Sequence, residues 1–546
     1  MPADEVRVKV WVVPPGPGAW TQTQTQAQAQ AQAQGQSGAA GGIVSVVDSD
    51  GRVILRAPRA GGSDGDEHLA HAPDPYTAKR DTPEWWDDAK FGIFIHWGIY
   101  SVPAWNSQRH RYEPFLRWWL HNDGKSETWR YHLFFLKSLL GEYWRYHRDT
   151  YGEDFVYDDF IPDFTARKFN ASQWVELFAD AGARYFVFVT KHHDGYALFD
   201  TGNSTHRSSY HLGPKRDFLR ELFNAARAEQ PSLHRGTYYS MPEWFNPDAG
   251  PYGFGNWPGH LARNPYDESK VEPYTGRLEG KDYLEDIQLA HMRSLAMDYE
   301  SEIMWCDIGG PNLTVKFAKE WYPFAEAQGR QVVMNNRCGA LPQFDTPEYA
   351  RFSSIQRVKW ETSEGIDPYT YGYNRRTKAE DYRSVQTIVS TLVDIVSKNG
   401  NYLLNVGPTA EGEIIKPMID RLLEVGKWLA YSGECIYGTT GASLTGDRVC
   451  YQDYSFLGAE SGDVRFTTTA ESFCMISLVR PENGLLVIER AVPVLPGDEI
   501  SLLGGGEEGK RLEWWIKDGK LVVRVAEEVL DRVEWAWAFK VSFLVR

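Results

Sequence analysis

Apolar positions along the chain follow two regimes. From Pro83 to about Gly438, short apolar runs without helical period alternate with stretches whose apolar residues recur every three or four positions. That alternation is the mark of buried strands interleaved with amphipathic helices. The runs predict strands at Phe91–Ile95, Tyr185–Thr190, Gly236–Ser240, Glu302–Trp305, Gln331–Met334, Arg357–Trp360 and Asn401–Val406. Between them the period predicts helices over Ser172–Ala181, capped by Ser172, and over Asp217–Arg227, Tyr283–Met297, Lys316–Ala327, Asp381–Ser397 and Pro417–Tyr431. Phe91-Gly92-Ile93-Phe94-Ile95 has enough β-branched and aromatic weight to be buried on both faces, and it stops abruptly at His96 and Trp97. Other predicted strands stop the same way, in His192-His193-Asp194, Pro242-Glu243-Trp244, Cys306-Asp307, Asn335-Asn336-Arg337 and Glu361-Thr362-Ser363.

Strand–helix units repeated in this way, each strand exhausted at a polar tip, predict an α/β chain built on a (β/α)8-type barrel with its chemistry at the carboxyl ends of the strands. A doubly wound open sheet also alternates, but no GxGxxG or GxxxxGK(S/T) follows a strand, and the polar tips come from many strands instead of one crevice. Beyond about residue 445 the helical period disappears. Runs at Phe473–Val479, Leu485–Val492, Leu512–Ile516, Leu521–Val525 and Val533–Val545, separated by turn sequences, predict a C-terminal β-sandwich. Before the barrel, Val6–Trp11 and Ile43–Ile54 alternate like strands, with a hairpin turn at Asp48–Gly51. Thr21–Gln36 is a polar tract of low complexity, expected to be disordered, and Asp64–Pro75 reads as a linker. The expected domains are therefore an N-terminal β segment over 1–75, a catalytic barrel over 76–440 and a sandwich over 441–546.

Composition narrows the partners. A net charge of −16 with no long basic run argues against nucleic acid or an anionic membrane surface. No apolar stretch approaches the roughly 20 residues needed to cross a bilayer, and the first residues lack the charged-then-apolar layout of a secretory signal. Five cysteines (Cys306, Cys338, Cys435, Cys450, Cys474) are too few for a disulfide framework and have no zinc spacing, which leaves room for one or two bridges. Asn170, Asn203 and Asn312 begin glycosylation sequons. An aromatic content of 14% serves a large core, and also suits flat rings stacking on sugar C–H faces.

Two carboxylates stand where a barrel carries chemistry. Asp307 lies at a strand end beside Trp305, and Glu348 lies in the following loop, Thr346 to Ala350. Glycoside hydrolysis uses such a pair, although a carboxylate at a strand end also serves as a helix cap or a salt-bridge partner. His96, His192 and His193 suit hydrogen bonding to sugar hydroxyls. Adjacent histidines reach one small ligand only if the backbone turns there. A metal site with Asp194 is the rival reading, without support from an HxH or HExxH spacing.

The segments WWDDAKFGIFIHWGIYSVPAW, TKHHDGYALFDT, GTYYSMPEW, MWCDIGG, MNNRCG, KWETSEGI, YGYNR and NYLLNVGP, in this order, resemble the α-L-fucosidases of glycoside hydrolase family 29 over about Glu84 to Gly438. The resemblance implies a retaining exo-hydrolase with a (β/α)8-like domain and a C-terminal β-sandwich, no metal or organic cofactor, and a fucosylated oligosaccharide or glycoconjugate as substrate. It implies Asp307 as nucleophile and Glu348 as acid/base. His96, His192, His193, Tyr238 and Arg337 would hold the fucose hydroxyls, with Trp305 shaping the pocket and Tyr371 near the C5 methyl group. It also implies an extracellular, lysosomal or vacuolar setting. Two departures stand out. The Glu-Trp-aromatic run usual after the first strand has no obvious counterpart, leaving Glu113, Glu127 with Trp129, or Glu142 with Trp144. The family's N-D-R-W-G reads Asn335-Asn336-Arg337-Cys338-Gly339. A catalytically silent fucose-binding protein on the same barrel is the alternative expectation.

Overall fold

The computed structural model describes residues 43–47, 53–58, 81–106 and 133–543, except 256, 340–341, 357, 440–462, 470, 490–491 and 493. The first 72 residues form one unit and Pro73–Arg546 another. In the first, β1 (Ile43–Val47) pairs antiparallel with β2 (Val53–Pro58). The expectations for Val6–Trp11, for the Thr21–Gln36 tract and for the linker from Asp64 fall outside the described residues.

In the second unit, seven strands make one parallel sheet: β3 (Phe91–Ile95), β4 (Tyr185–Lys191), β5 (His234–Ser240), β6 (Ile303–Asp307), β7 (Val333–Met334), β8 (Trp360–Gly365) and β9 (Gly400–Val406), in the order β7-β6-β5-β4-β3-β9-β8. The two edges are joined by parallel bridges, Asn335 to Phe344 and Asp345 to Trp360. This residual strand between β7 and β8 supplies the eighth position, and every strand then neighbours its predecessor in sequence, as in a (β/α)8 barrel. Side-chain alternation sorts the strands into two layers. Phe94, Tyr185, Val187, Tyr238, Trp305 and Leu403 fill the interior together with Trp86 of α1 (Glu84–Ala89). Phe91, Ile93, Phe186, Phe188, Cys306 and Leu404 face outward into the helical layer.

That layer includes α3 (Ala171–Asp180), α4 (Phe218–Glu229), α5 (Thr314–Ala327), α6 (Val385–Ser397) and α7 (Lys416–Ser432). The nineteen-residue α2 (Leu133–Tyr151) precedes them and was not legible in the pattern. Asn170 rather than Ser172 caps α3, because its side chain accepts the Gln173 N–H. The predicted Tyr283–Met297 helix is wound wider than an α-helix over Tyr283–Leu289 and Ser294–Asp298, with one α turn between.

The largest displacement concerns β8, expected at Arg357–Trp360 and found at Trp360–Gly365. Its sequence, WETSEG, is polar yet wholly buried. Glu361 points into the barrel and accepts from Tyr185 Oη at 2.6 Å and Trp305 Nε1 at 2.7 Å. Glu364 points outward to Arg351, Arg383 and Tyr402.

The C-terminal segment forms two antiparallel sheets. One has the order β10 (Val464–Thr468), β11 (Ser472–Ser477), β16 (Trp537–Ser542) and β13 (Glu499–Leu502). The other has the order β12 (Leu485–Ile488), β15 (Lys520–Arg524) and β14 (Glu513–Lys517). Phe473, Met475, Ile500, Leu521, Val523 and Phe539 fill the space between them, which makes a sandwich. Its outer face is tied to the barrel helices: Trp428 Nε1 donates to Ala536 O, Arg465 pairs with Asp394, and Cys435 is disulfide-bonded to Cys474. β10 and β13 were missed because they are short and carry few apolar residues.

Candidate active site

Asp307 closes β6 at the carboxyl end of the barrel and is buried. Its Oδ2 accepts from Tyr238 Oη at 2.6 Å, where β5 pairs with β6. Its Oδ1 accepts from Arg337 Nη1 at 2.7 Å and from the Ile308 N–H at 2.8 Å. Ile308, Gly309 and Gly310 all take positive φ, 71°, 70° and 90°. For a β-branched residue such as Ile308 this conformation is strained, which fits a backbone bent to serve a site. His193 Nε2 lies 3.7 Å from Asp307 Oδ2. Burial alone raises the Asp307 pKa, but the Arg337 guanidinium, His193 and the Tyr238 hydroxyl overcome it and hold the carboxyl well below the usual range.

Arg337 is the hinge of the arrangement. The same Nη1 that donates to Asp307 donates to Glu348 Oε1 at 2.7 Å, and Nη2 donates to Thr346 O at 2.7 Å. Two carboxylate oxygens each 2.7 Å from one nitrogen lie no more than twice that distance apart. The Glu348 side chain is 31% exposed against 12% for Asp307, so the pair consists of one enclosed and one water-accessible carboxylate. The guanidinium also sits 5.0 Å from the Trp305 ring centroid.

The expected hydroxyl-holding residues line the same mouth. His96, just past β3, is bonded through Nδ1 to Asn405 Oδ1 at 2.6 Å, with its ring 4.8 Å from Tyr371 and 5.7 Å from both His192 and Tyr238. His192 and His193 do converge, their ring centroids 4.0 Å apart. The turn that allows it is visible: the Gly195 N–H bonds to His192 O, and Gly195 has φ 73° where a Cβ would strike Tyr274 and Glu243. Tyr238 stacks on His192 at 5.5 Å and on Trp305 at 5.5 Å, and the buried Tyr371 donates its hydroxyl to Ser363 O at 3.0 Å. All nine expected residues thus form one connected set of contacts.

Other candidates fall away. Asp194 accepts from Tyr157 Oη at 2.8 Å and the Tyr196 N–H at 3.1 Å. No group of three His, Cys, Asp or Glu among the described residues is arranged to hold a metal ion. Glu243 is buried against Lys191 Nζ at 3.0 Å, and Glu361 lies beneath Trp305 with its carboxyl pushed up to about 7, chiefly by burial. Glu142 borders a separate groove with Trp105, Tyr146 and Arg376, while Glu113 and Glu127 lie outside the described residues. Missed by sequence reasoning was a stacked indole pair beside His193: Trp244 lies 4.7 Å from that imidazole and Trp257 5.0 Å from Trp244. Trp244 sat in a recognised motif, but nothing in the pattern joined it to Trp257.

A parallel barrel with two carboxylates, imidazoles and aromatic rings gathered at the carboxyl ends of its strands is the architecture of a barrel glycosidase. Residues 67–434 match the family model described as alpha-L-fucosidase. The chain is 33% identical to tissue alpha-L-fucosidase of Bos taurus, over 86% of this chain and 91% of the relative, and 29% identical to the plasma alpha-L-fucosidase of Homo sapiens, over 85% and 91%. Among solved structures, Thermotoga maritima alpha-fucosidase in complex with a mechanism-based inhibitor superposes with a TM-score of 0.66 at 31% identity, over 85% of this chain and 97% of that one. The chain belongs to the α-L-fucosidase family of glycoside hydrolases.

Proposed function

We propose that the protein is a retaining exo-α-L-fucosidase that releases terminal α-L-fucose from glycans, with Asp307 as nucleophile and Glu348 as acid/base. The observation that carries this reading is the shared Arg337 Nη1, which holds one oxygen of each carboxylate at 2.7 Å. With their nearest oxygens no farther apart than twice 2.7 Å, the two carboxylates are in keeping with the separation of about 5–5.5 Å used by retaining glycosidases, which is shorter than that of inverting ones. The mechanism-based inhibitor named for the Thermotoga maritima structure is in keeping with a covalent intermediate.

In the first step an Asp307 oxygen bonds to C1 from the face opposite the aglycone. The glycosidic C1–O bond breaks, and Glu348 gives its proton to the departing oxygen. In the second step Glu348 takes a proton from water, the water oxygen bonds to C1, and Asp307 leaves as a carboxylate. The balance is fucoside plus water giving L-fucose plus alcohol. Asp307 is suited to its part because Arg337 and Tyr238 keep it ionised, and Glu348 because its exposure lets it exchange protons with solvent. His96, His192 and His193 present ring nitrogens to sugar hydroxyls. The Tyr371 and Trp305 rings offer an apolar wall, and such a wall suits a methyl group that asks for no hydrogen bond.

The division at 1–75, 76–440 and 441–546 goes with this reading, the barrel being catalytic and the sandwich bracing its helices. An extracellular or lysosomal setting is in keeping with the plasma and tissue relatives and with two disulfides among the described residues. The test is release of free fucose from a panel of fucosylated oligosaccharides and p-nitrophenyl α-L-fucoside by the native chain and by Asp307→Asn. Release by the native chain and none by a folded variant is expected; equal release by both refutes the assignment of Asp307.

A further inference from the structure

The disulfide between Cys306 and Cys338 stands in a telling place. Cys306 immediately precedes Asp307, and Cys338 immediately follows Arg337, so the bridge and the Asp307–Arg337 ion pair link the same two chain segments one residue apart. Both cysteines are fully buried in the helix-facing layer, while Trp305, next in line on β6, faces the barrel interior. The alternation of side chains along β6 therefore puts the covalent link behind the strand and the ion pair in front.

The segment carrying Arg337 needs such a link. β7 is only two residues long and pairs with β6 only through Val333 and Met334. From Asn336 to Cys338 the chain leaves the sheet in a single turn that ends at Gly339, with φ 88°. Strand pairing stops short of Arg337. The turn is held by the Asn335 amide, bonded to Cys306 N and O at 2.9 Å each, by the Thr314 hydroxyl on Cys338 O at 2.6 Å, by Asn336, whose N–H donates to Phe344 O at 3.0 Å and whose Oδ1 accepts from the Thr346 hydroxyl at 2.9 Å, and by the bridge, the one covalent tie among them to β6.

We infer that the Cys306–Cys338 disulfide is a positioning device of the active site, fixing Arg337 against Asp307 where the sheet is too short to do so. This rests on the reading of Asp307 as nucleophile. Among the described residues, the charged and titratable groups around Asp307 include Arg337, Glu348, His193 and Tyr238, each from a different chain segment. Of these, only Arg337 and Glu348 are carried by the segments that follow β7, and Glu348 is itself held by Arg337. Loosening the turn therefore weakens the cationic contact with Asp307 and leaves His193 and Tyr238 where they are.

The experiment compares Cys306→Ala/Cys338→Ala with Cys435→Ala/Cys474→Ala, the bridge between barrel and sandwich, each checked for a folded state by thermal melting. On p-nitrophenyl α-L-fucoside, the first variant is expected to lose between about tenfold and a hundredfold in kcat, the scale of misplaced catalytic groups. Its KM should stay within about threefold, and the acidic limb of its pH–rate profile should move up by about one unit. The second variant should melt earlier with kcat and the acidic limb in place. If the first variant does not fold, the native chain treated with a phosphine gives the same comparison. Phosphine and water convert the bridge to two thiols and the phosphine to its oxide, and activity is scored against the fraction of molecules whose mass after alkylation shows the 306–338 bridge open. Unchanged kcat and acidic limb without the bridge, or equal kcat losses in both double variants, overturns the inference. Should Asp307→Asn instead prove fully active, it is the underlying reading that fails.

Discussion

The most decisive perturbation of the site is Arg337→Met, which keeps an unbranched apolar stem and removes the charge and the fork. In the native chain Asp307 is enclosed, and burial alone would favour its protonated form; the guanidinium at 2.7 Å is the leading influence that reverses this. Without it, burial prevails and the nearby Glu348 adds like-charge repulsion, so the Asp307 pKa rises from well below its ordinary value to above it. A carboxyl with a depressed folded pKa contributes stability at every pH above its unfolded value near 4, lost only as pH falls through the folded value. In the variant that contribution is gone at neutral pH, and removing one partner of a buried ion pair costs about 3–5 kcal/mol. A loss of about 3 kcal/mol in the transition state corresponds to roughly a hundredfold in kcat/KM, at about 1.36 kcal/mol per tenfold. Hydrolysis of p-nitrophenyl α-L-fucoside from pH 3 to pH 8, about the range in which carboxylates and histidines titrate, should show that loss together with an acidic limb moved upward. A variant within threefold of the native kcat/KM, with a superimposable limb, would refute the claim that Arg337 sets the charge state of Asp307.

Other outcomes follow from the same geometry. Glu348→Ala should lose about 10²–10⁴-fold on substrates with poor leaving groups and far less on activated aryl fucosides, with azide restoring part of the rate; equal losses on both substrates and no azide effect would exclude Glu348 as the acid. Glu361, raised to about 7 by burial, binds a proton in the fold that the unfolded chain releases near pH 4.5, so native stability should fall as pH rises between those values. Denaturant titrations of Glu361→Gln at pH 5 and pH 7 should show that dependence flattened by up to about 3 kcal/mol. Removing the Cys435–Cys474 bridge, which closes a span of 39 residues, should cost about 4 kcal/mol of stability in chemical denaturation and leave kcat unchanged.

The barrel was legible because its strands are buried on both faces, and an apolar run such as Phe91–Ile95 or Tyr185–Thr190 has few other uses. The tips were legible because polar residues close behind such runs, among them His96, His192, Asp307 and Arg337, mark where an apolar strand ends. β8 was misplaced because WETSEG is buried with its carboxylates satisfied by Tyr185, Trp305, Arg351 and Arg383, partners supplied from far along the chain. The stacking of Trp257 on Trp244, the pairing of Cys306 with Cys338 and the sharing of one Arg337 nitrogen by two acids were equally invisible.

What the sequence by itself determined is local: which stretches are apolar enough to be strands, and which residue types end them. Periodicity and burial preference act between neighbours a few positions apart, so one chain read in order contains them. Which tips meet was decided only in three dimensions. Closing the barrel brings β4, β5, β6 and the turn after β7 around one mouth, and distances between residues separated by a hundred positions or more are set by the curvature of the sheet, which no local pattern encodes.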